Sequence, residues 1–209
     1  MLQLIGGLKE LCKTQLGGFE AQNIMSPLKR KPGNFYENNN PSKSAVLALL
    51  YPKENIPHII LTVRADYTGV HSGQVSLPGG KYEEGDENFI KTALRETKEE
   101  IGINETNIEI IGALTDLYIP ASNFIVYPIL GIIEQQPNFF PDVTEVKQLL
   151  EVPIPLLLNE NSVKIKPVHM SIFNEIRDVP CFDFYGHTVW GATAMILSEI
   201  KELLKKHYT

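Results

Sequence analysis

The stretch Leu77–Gly102, LPGGKYEEGDENFIKTALRETKEEIG, limits what this chain can fold into more than any other. Pro78-Gly79-Gly80 marks a tight turn, because glycine accepts backbone angles that side chains forbid. An acidic loop follows. Asp86 stands where a carboxylate can cap a helix, and Glu87 then meets the positive end of the helix dipole. Gly102 sits where a left-handed C-terminal cap closes that helix. At about 100° per residue, Ile90, Ala93, Leu94, Thr97 and Ile101 make one core-facing stripe. Lys91, Arg95 and Lys98 fall largely opposite, while Glu96, Glu99 and Glu100 gather on a third arc.

Carboxylates three and four apart on a helix repel by a few tenths of a kcal/mol per pair. A divalent cation reverses that penalty. Magnesium is a hard ion that takes carboxylate and carbonyl oxygens and often shares its shell with substrate phosphates. An isolated ExxEE also reads as a solvated acidic face. A glycine turn, a capped helix and RExxEExG in one run form a far more specific pattern.

Gly80, Arg95-Glu96, Glu99-Glu100, Gly102 and Ile103 resemble the signature of the Nudix hydrolases. That signature is a glycine, five residues, a glutamate, seven residues, then REUxEExGU with U aliphatic. Thr97 occupies the aliphatic place after Arg95-Glu96. Asp86 replaces the glutamate, and eight residues separate it from Arg95, so the loop carries one extra residue. Similar spacing is familiar in the branch that resembles coenzyme A diphosphatases. A second signature of that branch precedes the glycine turn: LLTxR[SA], three residues, R, three residues, G, three residues, FPGG. Leu61-Thr62, Arg64-Ala65, Gly73 and Pro78-Gly79-Gly80 match it, with Gly69 at the second arginine and Leu77 at the phenylalanine.

The resemblance implies an α/β (α+β) fold, an α-β-α sandwich around a mixed central sheet. It assigns residues 43–209 to the hydrolase domain and leaves 1–42 as an N-terminal helix and loop packed upon it. It implies that Glu96, Glu99 and Glu100 and the carbonyl of Gly80 bind Mg²⁺ or Mn²⁺, with Arg95 orienting a carboxylate across the turn. Arg64, His71, Gln74 and Gly79 become the substrate-binding set, although His71 and Gln74 read equally as loop residues bonding their own backbone. The implied substrate is a small nucleoside diphosphate derivative. Coenzyme A or its thioesters come first, giving 4′-phosphopantetheine compounds and adenosine 3′,5′-bisphosphate. ADP-ribose, dinucleotides and other nucleotide sugars stay open because Gly69 replaces an arginine, and a non-catalytic nucleotide-binding module is the third option. The base stays open between a helix glutamate and Glu145, which also reads as an ordinary helix-start residue.

The remaining chain adds limits. Its 209 residues suffice for one domain with a full core, and 43% hydrophobic content is ordinary for a globular chain. A net charge of -6 disfavours a nucleic acid polymer as partner. No apolar run reaches the ~18 residues that span a bilayer, and no basic leader precedes the first apolar stretch. Cys12 and Cys181 read as free thiols of a reducing cytoplasm. A homodimer stays open.

Residues 2–16 read as an amphipathic helix, with Leu2, Ile5, Leu8, Leu11 and Cys12 at helical spacing. The Lys29-Arg30-Lys31 cluster reads as a solvated run or a phosphate contact. Lys43–Tyr51 and His58–Ala65 read as strands joined by a turn, and Ile108–Tyr118 and Asn123–Glu134 as a strand pair. Val146, Leu149 and Leu150 in the segment 141–153 sit at helical spacing. Residues 163–188 alternate enough for two strands with a turn near Asn174-Glu175, and a final helix runs through His207, with Trp190 as core.

Overall fold

The apolar run Lys43–Tyr51 becomes the middle of a mixed eight-stranded sheet in the computed structural model, which describes residues 2–14, 16–28, 30, 40–65, 73–170 and 174–208. Helices α1 (Leu2–Thr14) and α2 (Gly18–Asn23) precede β1 (Ser42–Lys53), β2 (Ile56–Arg64), β3 (Val75–Ser76) and β4 (Gly79–Lys81). Helix α3 (Phe89–Ile101) leads to β5 (Glu109–Ala113), β6 (Leu117–Ile119), β7 (Phe124–Ile132) and β8 (Val146–Pro153). The short α4 (Ile154–Leu158) is followed by β9 (Val163–Met170), β10 (Glu175–Phe184), β11 (His187–Val189) and α5 (Gly191–Tyr208).

One edge of β1 runs parallel to β7 from Ser42 to Leu50. Its other edge is divided. Ser44–Val46 pair antiparallel with β4, and Leu50–Lys53 pair antiparallel with β2. Between the two, the Leu47 N–H donates to the Pro78 carbonyl at 2.8 Å. The sheet therefore forks at β1, and Gly79 and Gly80 lie in the fork. The β1–β2 hairpin closes on Glu54 and Asn55, both at positive φ (51° and 62°), the two-residue turn whose twist matches that of paired strands.

Both faces of the sheet are covered, which is why β1 reads as a near-continuous apolar run. Ala45, Leu47, Leu49 and Tyr51 face α3, where Ala93, Leu94 and Ile101 are buried against them. Ala48 and Leu50 face the other way, into a larger core with α5, α4 and the second, three-stranded sheet β11-β10-β9. The expected helix–sheet–helix sandwich is present. The N-terminal helices pack on α5: Leu8 and Met25 belong to the larger core. The fully buried Glu199 of α5 accepts from the Gly18 N–H (3.2 Å), Gln22 Nε2 (3.0 Å) and the Thr115 hydroxyl (2.6 Å).

Three sequence readings change. The segment 141–153 is not helical: Val146–Pro153 is β8, antiparallel to β2. Val146, Leu150 and Val152 are buried at strand period, while Leu149 packs on the opposite face with the α3 core. Adjacent leucines on opposite faces of a strand break its alternation and mimic helical spacing. The strand expected over Ile108–Tyr118 is broken into β5 and β6, with a register shift between Ile110 and Gly112. Asp86 does not cap α3. Helices α2 and α4, too short to leave a periodic signature, appear in addition, as does β11. The other expected elements are present, with α1 ending at Thr14 and α5 starting at Gly191. Trp190 is half-buried, and Cys12 and Cys181 are unbridged. Among the described residues no helix is long and apolar enough to cross a membrane.

Candidate active site

The N-terminal cap of α3 is Asn88, whose Oδ1 accepts from the Lys91 N–H at 3.1 Å. That frees Asp86 for a different task. Its buried carboxylate accepts from Arg95 Nε (3.0 Å) and Nη2 (3.1 Å), from the Thr92 hydroxyl (2.9 Å) and from the Glu83 N–H (3.0 Å). Arg95, followed by the Glu83 N–H and the Thr92 hydroxyl, holds Asp86 down at about pKa 2 against the cost of burial. The loop before the helix is thereby stapled to the second turn of the helix.

Arg95 also reaches forward. Its Nη1 donates to Glu96 Oε1 at 2.8 Å and to Glu99 Oε2 at 3.1 Å, and Nη2 donates to the Lys81 carbonyl at 3.1 Å. One guanidinium thus ties together the loop, β4 and two of the three carboxylates, and these partners drive its pKa upward.

Glu96 and Glu100 point into the fork of the sheet. A Cβ placed on Gly80 would stand 2.4–2.5 Å from the Glu96 carboxylate. The Gly79 N–H donates to Glu100 Oε2 at 3.2 Å. Gly79 has φ +151°, and a Cβ there would stand 2.4 Å from the Ala45 carbonyl oxygen. Both glycines are therefore required: one lets the turn pass β1, and the other leaves room for a carboxylate. Glu99 differs from its two neighbours, with a side chain 57% exposed beside Arg95.

Glu100 is only 4% exposed. Burial pushes its pKa up to about 7, with Glu96 and Glu145 adding like charge, while the Gly79 N–H and Arg64 pull the other way. Burial likewise raises Glu96, opposed by Arg95 and reinforced by Glu99 and Glu145. Glu145 is exposed, at the end of the loop before β8, and its carbonyl accepts from the Ala65 N–H at 2.8 Å. Arg64 is half-buried at the end of β2, and its Nε is buried without a hydrogen-bond partner among the described residues. Gln74 lies beside it, its carbonyl accepting from the Arg64 N–H at 3.0 Å. Thr97, in the aliphatic place of the signature, is buried and donates to the Ala93 carbonyl at 2.6 Å. His71, Gly69, Lys29 and Lys31 lie outside the described residues. Arg30 sits over the Phe19 ring, 5.6 Å from its centroid, and donates to the Tyr118 carbonyl, so it is not a freely solvated charge.

This donor set suits a hard divalent cation. Two carboxylates share a fork, one is desolvated and disfavoured as an uncompensated anion, and a cation would stabilise both. Among the described residues no three carboxylate, imidazole or thiolate side chains already converge on one point. A shell here would be completed by backbone carbonyl, water and phosphate oxygens, as magnesium's usually is.

The family model of the NUDIX domain matches residues 41–160, more than half of the chain. The chain belongs to the Nudix hydrolase family. Two relatives carry the name Nudix hydrolase NudL, one from Yersinia enterocolitica and one from Yersinia pestis. The first is 30% identical over 172 residues, spanning 82% of this chain and 85% of its own; the second is 32% identical over 146 residues, spanning 70% and 72%. A solved MutT/nudix family protein from Enterococcus faecalis superposes with TM-score 0.52 at 16% identity, over 94% of this chain and 73% of its own. At such low identity that likeness concerns the fold alone. As a Nudix hydrolase the chain is a diphosphate-hydrolysing enzyme of a family that generally works with divalent metals.

The sequence missed Asn88 as the cap, and with it the pairing of Asp86 and Arg95. An Asx residue directly before Phe89 was the available signal. Glu83 and Thr92 carried none, because each acts through one hydrogen bond to Asp86.

Proposed function

We propose that Glu96 and Glu100 hold Mg²⁺ or Mn²⁺ in the fork, with the Gly80 carbonyl, and with Glu99 at the outer rim, for hydrolysis of a nucleoside diphosphate derivative. Coenzyme A or its thioesters are the substrate of first choice, as the motif over Leu61–Gly80 implies. When bound, such an ion offsets the negative charge of a diphosphate and makes a water acidic enough to attack it. The chain's own groups do the rest. Arg95, itself held by Asp86 and the Lys81 carbonyl, donates to Glu96, so the carboxylate is oriented before substrate arrives. Arg64 acts on Glu100 and has a buried Nε with no partner among the described residues, which suits it to an incoming phosphate. Glu145 is exposed and its charge acts on both Glu96 and Glu100, which suits it to take up a proton. The substrate is a small molecule, the compartment a reducing cytoplasm, and residues 1–42 an element packed on the hydrolase domain.

The observation that carries this reading is the Glu96 carboxylate lying where a Cβ on Gly80 would meet it at 2.4–2.5 Å, beside a buried, desolvated Glu100. The test is turnover of coenzyme A with Mg²⁺, followed by chromatography of the products. Glu96→Gln and Glu100→Gln should each lose at least about a hundredfold in kcat. Full activity in either variant would overturn the ligand assignment. Gly69, standing where the related motif carries arginine, supports ADP-ribose or a dinucleotide as the second reading. A rate panel across these substrates decides between the two.

A further inference from the structure

The loop between β7 and β8 is hydrogen-bonded to both elements that flank the fork. At one end the Phe140 N–H donates to the Ile101 carbonyl (2.9 Å) and the Asp142 N–H to the Glu100 carbonyl (3.0 Å), which fastens the loop to the last turn of α3. Gly102 makes room for it: a Cβ there would stand 2.7 Å from Phe140 Cβ and 2.8 Å from the Phe140 carbonyl oxygen. At the other end the Glu145 carbonyl accepts from the Ala65 N–H at 2.8 Å. Residues 140–145 are all exposed, so burial of apolar surface does not hold this course. Hydrogen bonds do, and Asp142 is their centre. Its Oδ1 accepts from the N–H (2.8 Å) and the hydroxyl (2.7 Å) of Thr144, and its carbonyl accepts from the N–H groups of Glu145 (3.1 Å) and Val146 (2.8 Å).

The far end of this strap meets β2 beside Arg64. Ile60 packs in the α3 core, whereas Leu61 and Val63 belong to the opposite core. Strand alternation therefore carries Thr62 and Arg64 to the α3 face, the side that also bears Glu96 and Glu100. Arg64 is the last residue of β2, and chain ends of this kind fray unless neighbours hold them. Here two consecutive amides are held. The Arg64 N–H donates to the Gln74 carbonyl beside β3 (3.0 Å), and the Ala65 N–H donates to Glu145 in the strap. The pairing of β2 with β8 shifts register between Val63 and Arg64, and irregularities of this type re-aim side chains. The guanidinium placed in this way keeps a buried Nε with no hydrogen-bond partner among the described residues.

We propose that Asp142 is a positioning residue: by folding the strap it fixes where Arg64 stands relative to Glu100, and so sets the gap in which a diphosphate is held between the acidic pair's cation and the guanidinium. This rests on the diphosphatase reading and deepens it. A charge-assisted bond to a phosphate oxygen needs about 2.7–2.9 Å, and a misplacement of about 1 Å caused far from the chemistry can cost a hundredfold. The metal ligands have supports of their own, Arg95 for Glu96 and the Gly79 N–H for Glu100, so unfolding the strap should spare them.

The test measures kcat/KM for coenzyme A and ADP-ribose with Mg²⁺, Mn²⁺ affinity without substrate, and the urea midpoint. It compares the wild type with Asp142→Ala and Asp142→Asn. Asp142→Ala should lower kcat/KM at least about tenfold on whichever compound the wild type hydrolyses, and leave Mn²⁺ affinity within about twofold. Asp142→Asn keeps the acceptor for Thr144 and should stay within about threefold of the wild type. On an Arg64→Gln background, Asp142→Ala should cost under about twofold more, because it acts through Arg64. A strap that only stabilises the fold would lower the urea midpoint and leave kcat/KM unchanged, and that result would overturn the proposal. So would a fall in Mn²⁺ affinity as large as the fall in kcat/KM, or an undiminished loss on the Arg64→Gln background. If the wild type hydrolyses neither compound, the proposed function fails first and the positioning role falls with it.

Discussion

Replacing Glu100 by glutamine should make the metal-free protein more stable at alkaline pH while abolishing its catalysis. In the folded chain the Glu100 carboxyl has its pKa raised from 4.5 to about 7, chiefly by burial. Each unit is worth about 1.4 kcal/mol, so ionised Glu100 costs the fold about 3 kcal/mol. The sign follows from the direction of the shift. Below pH 4.5 the group is protonated in both states and nothing is lost. Between 4.5 and about 7 the unfolded chain releases its proton while the folded chain retains it, and stability declines. Above about 7 the full penalty stands. Glutamine keeps the shape, and its amide oxygen can still accept from the Gly79 N–H, but it never ionises. Urea unfolding in a chelator should therefore show Glu100→Gln more stable than the wild type by about 3 kcal/mol at pH 8, and by under about 1 kcal/mol at pH 5. Saturating Mg²⁺ should then close the gap by stabilising only the wild type, by about 2.7 kcal/mol at one hundred times its Kd. If the variant is less stable than the wild type at pH 8, Glu100 is an ordinary buried hydrogen-bonding residue and the desolvation argument is wrong.

Gly80→Ala should leave the fold nearly intact yet displace the Glu96 carboxylate, because the new methyl would lie within 2.5 Å of it. A fall of at least about tenfold in kcat with a small change in unfolding midpoint would bear this out. Asp86→Asn should cost about 2 kcal/mol at pH 7, since Arg95 holds Asp86 at about pKa 2. In the wild type that contribution is present above about pH 4 and is lost as the pH falls through about 2, which acid unfolding of both proteins measures. Asn88→Ala removes the cap of α3 and should cost about 1 kcal/mol in denaturant titration, with Asn88→Asp close to the wild type.

The run from Leu77 to Gly102 carries most of the candidate site in its spelling. Glycines that admit no Cβ, an arginine, two glutamates four apart and a terminal Gly102 at φ +73° are all local in sequence. What was illegible depends on contacts between distant segments. Glu96 and Glu100 share an arc with Glu99 on a helical projection, yet only the fork where β4 and β2 part along β1 turns two of them inward and leaves Glu99 at the surface. Val146–Pro153 reads as helical for a related reason: the adjacent Leu149 and Leu150 pack on opposite faces of the strand, and that breaks the apolar alternation and imitates one helical face. Asp86 looked like a cap because its type and place fitted. Asn88, two residues on, fitted as well, and Arg95 nine residues away decided between them. The pairing of Glu199 with α2 has no signature in the sequence, because each partner is an ordinary polar residue until α5 is packed.

The central claim is that Glu96 and Glu100 together grip a divalent cation in the fork of the sheet. Titrating Mn²⁺ into the purified protein and following the free ion by its electron paramagnetic resonance tests it most directly. The account predicts saturable binding in the wild type, weakened at least tenfold in Glu96→Gln and in Glu100→Gln, with the apparent affinity rising with pH as Glu100 ionises toward about 7. Equal Mn²⁺ affinity in all three proteins, with diphosphate hydrolysis retained, would contradict it.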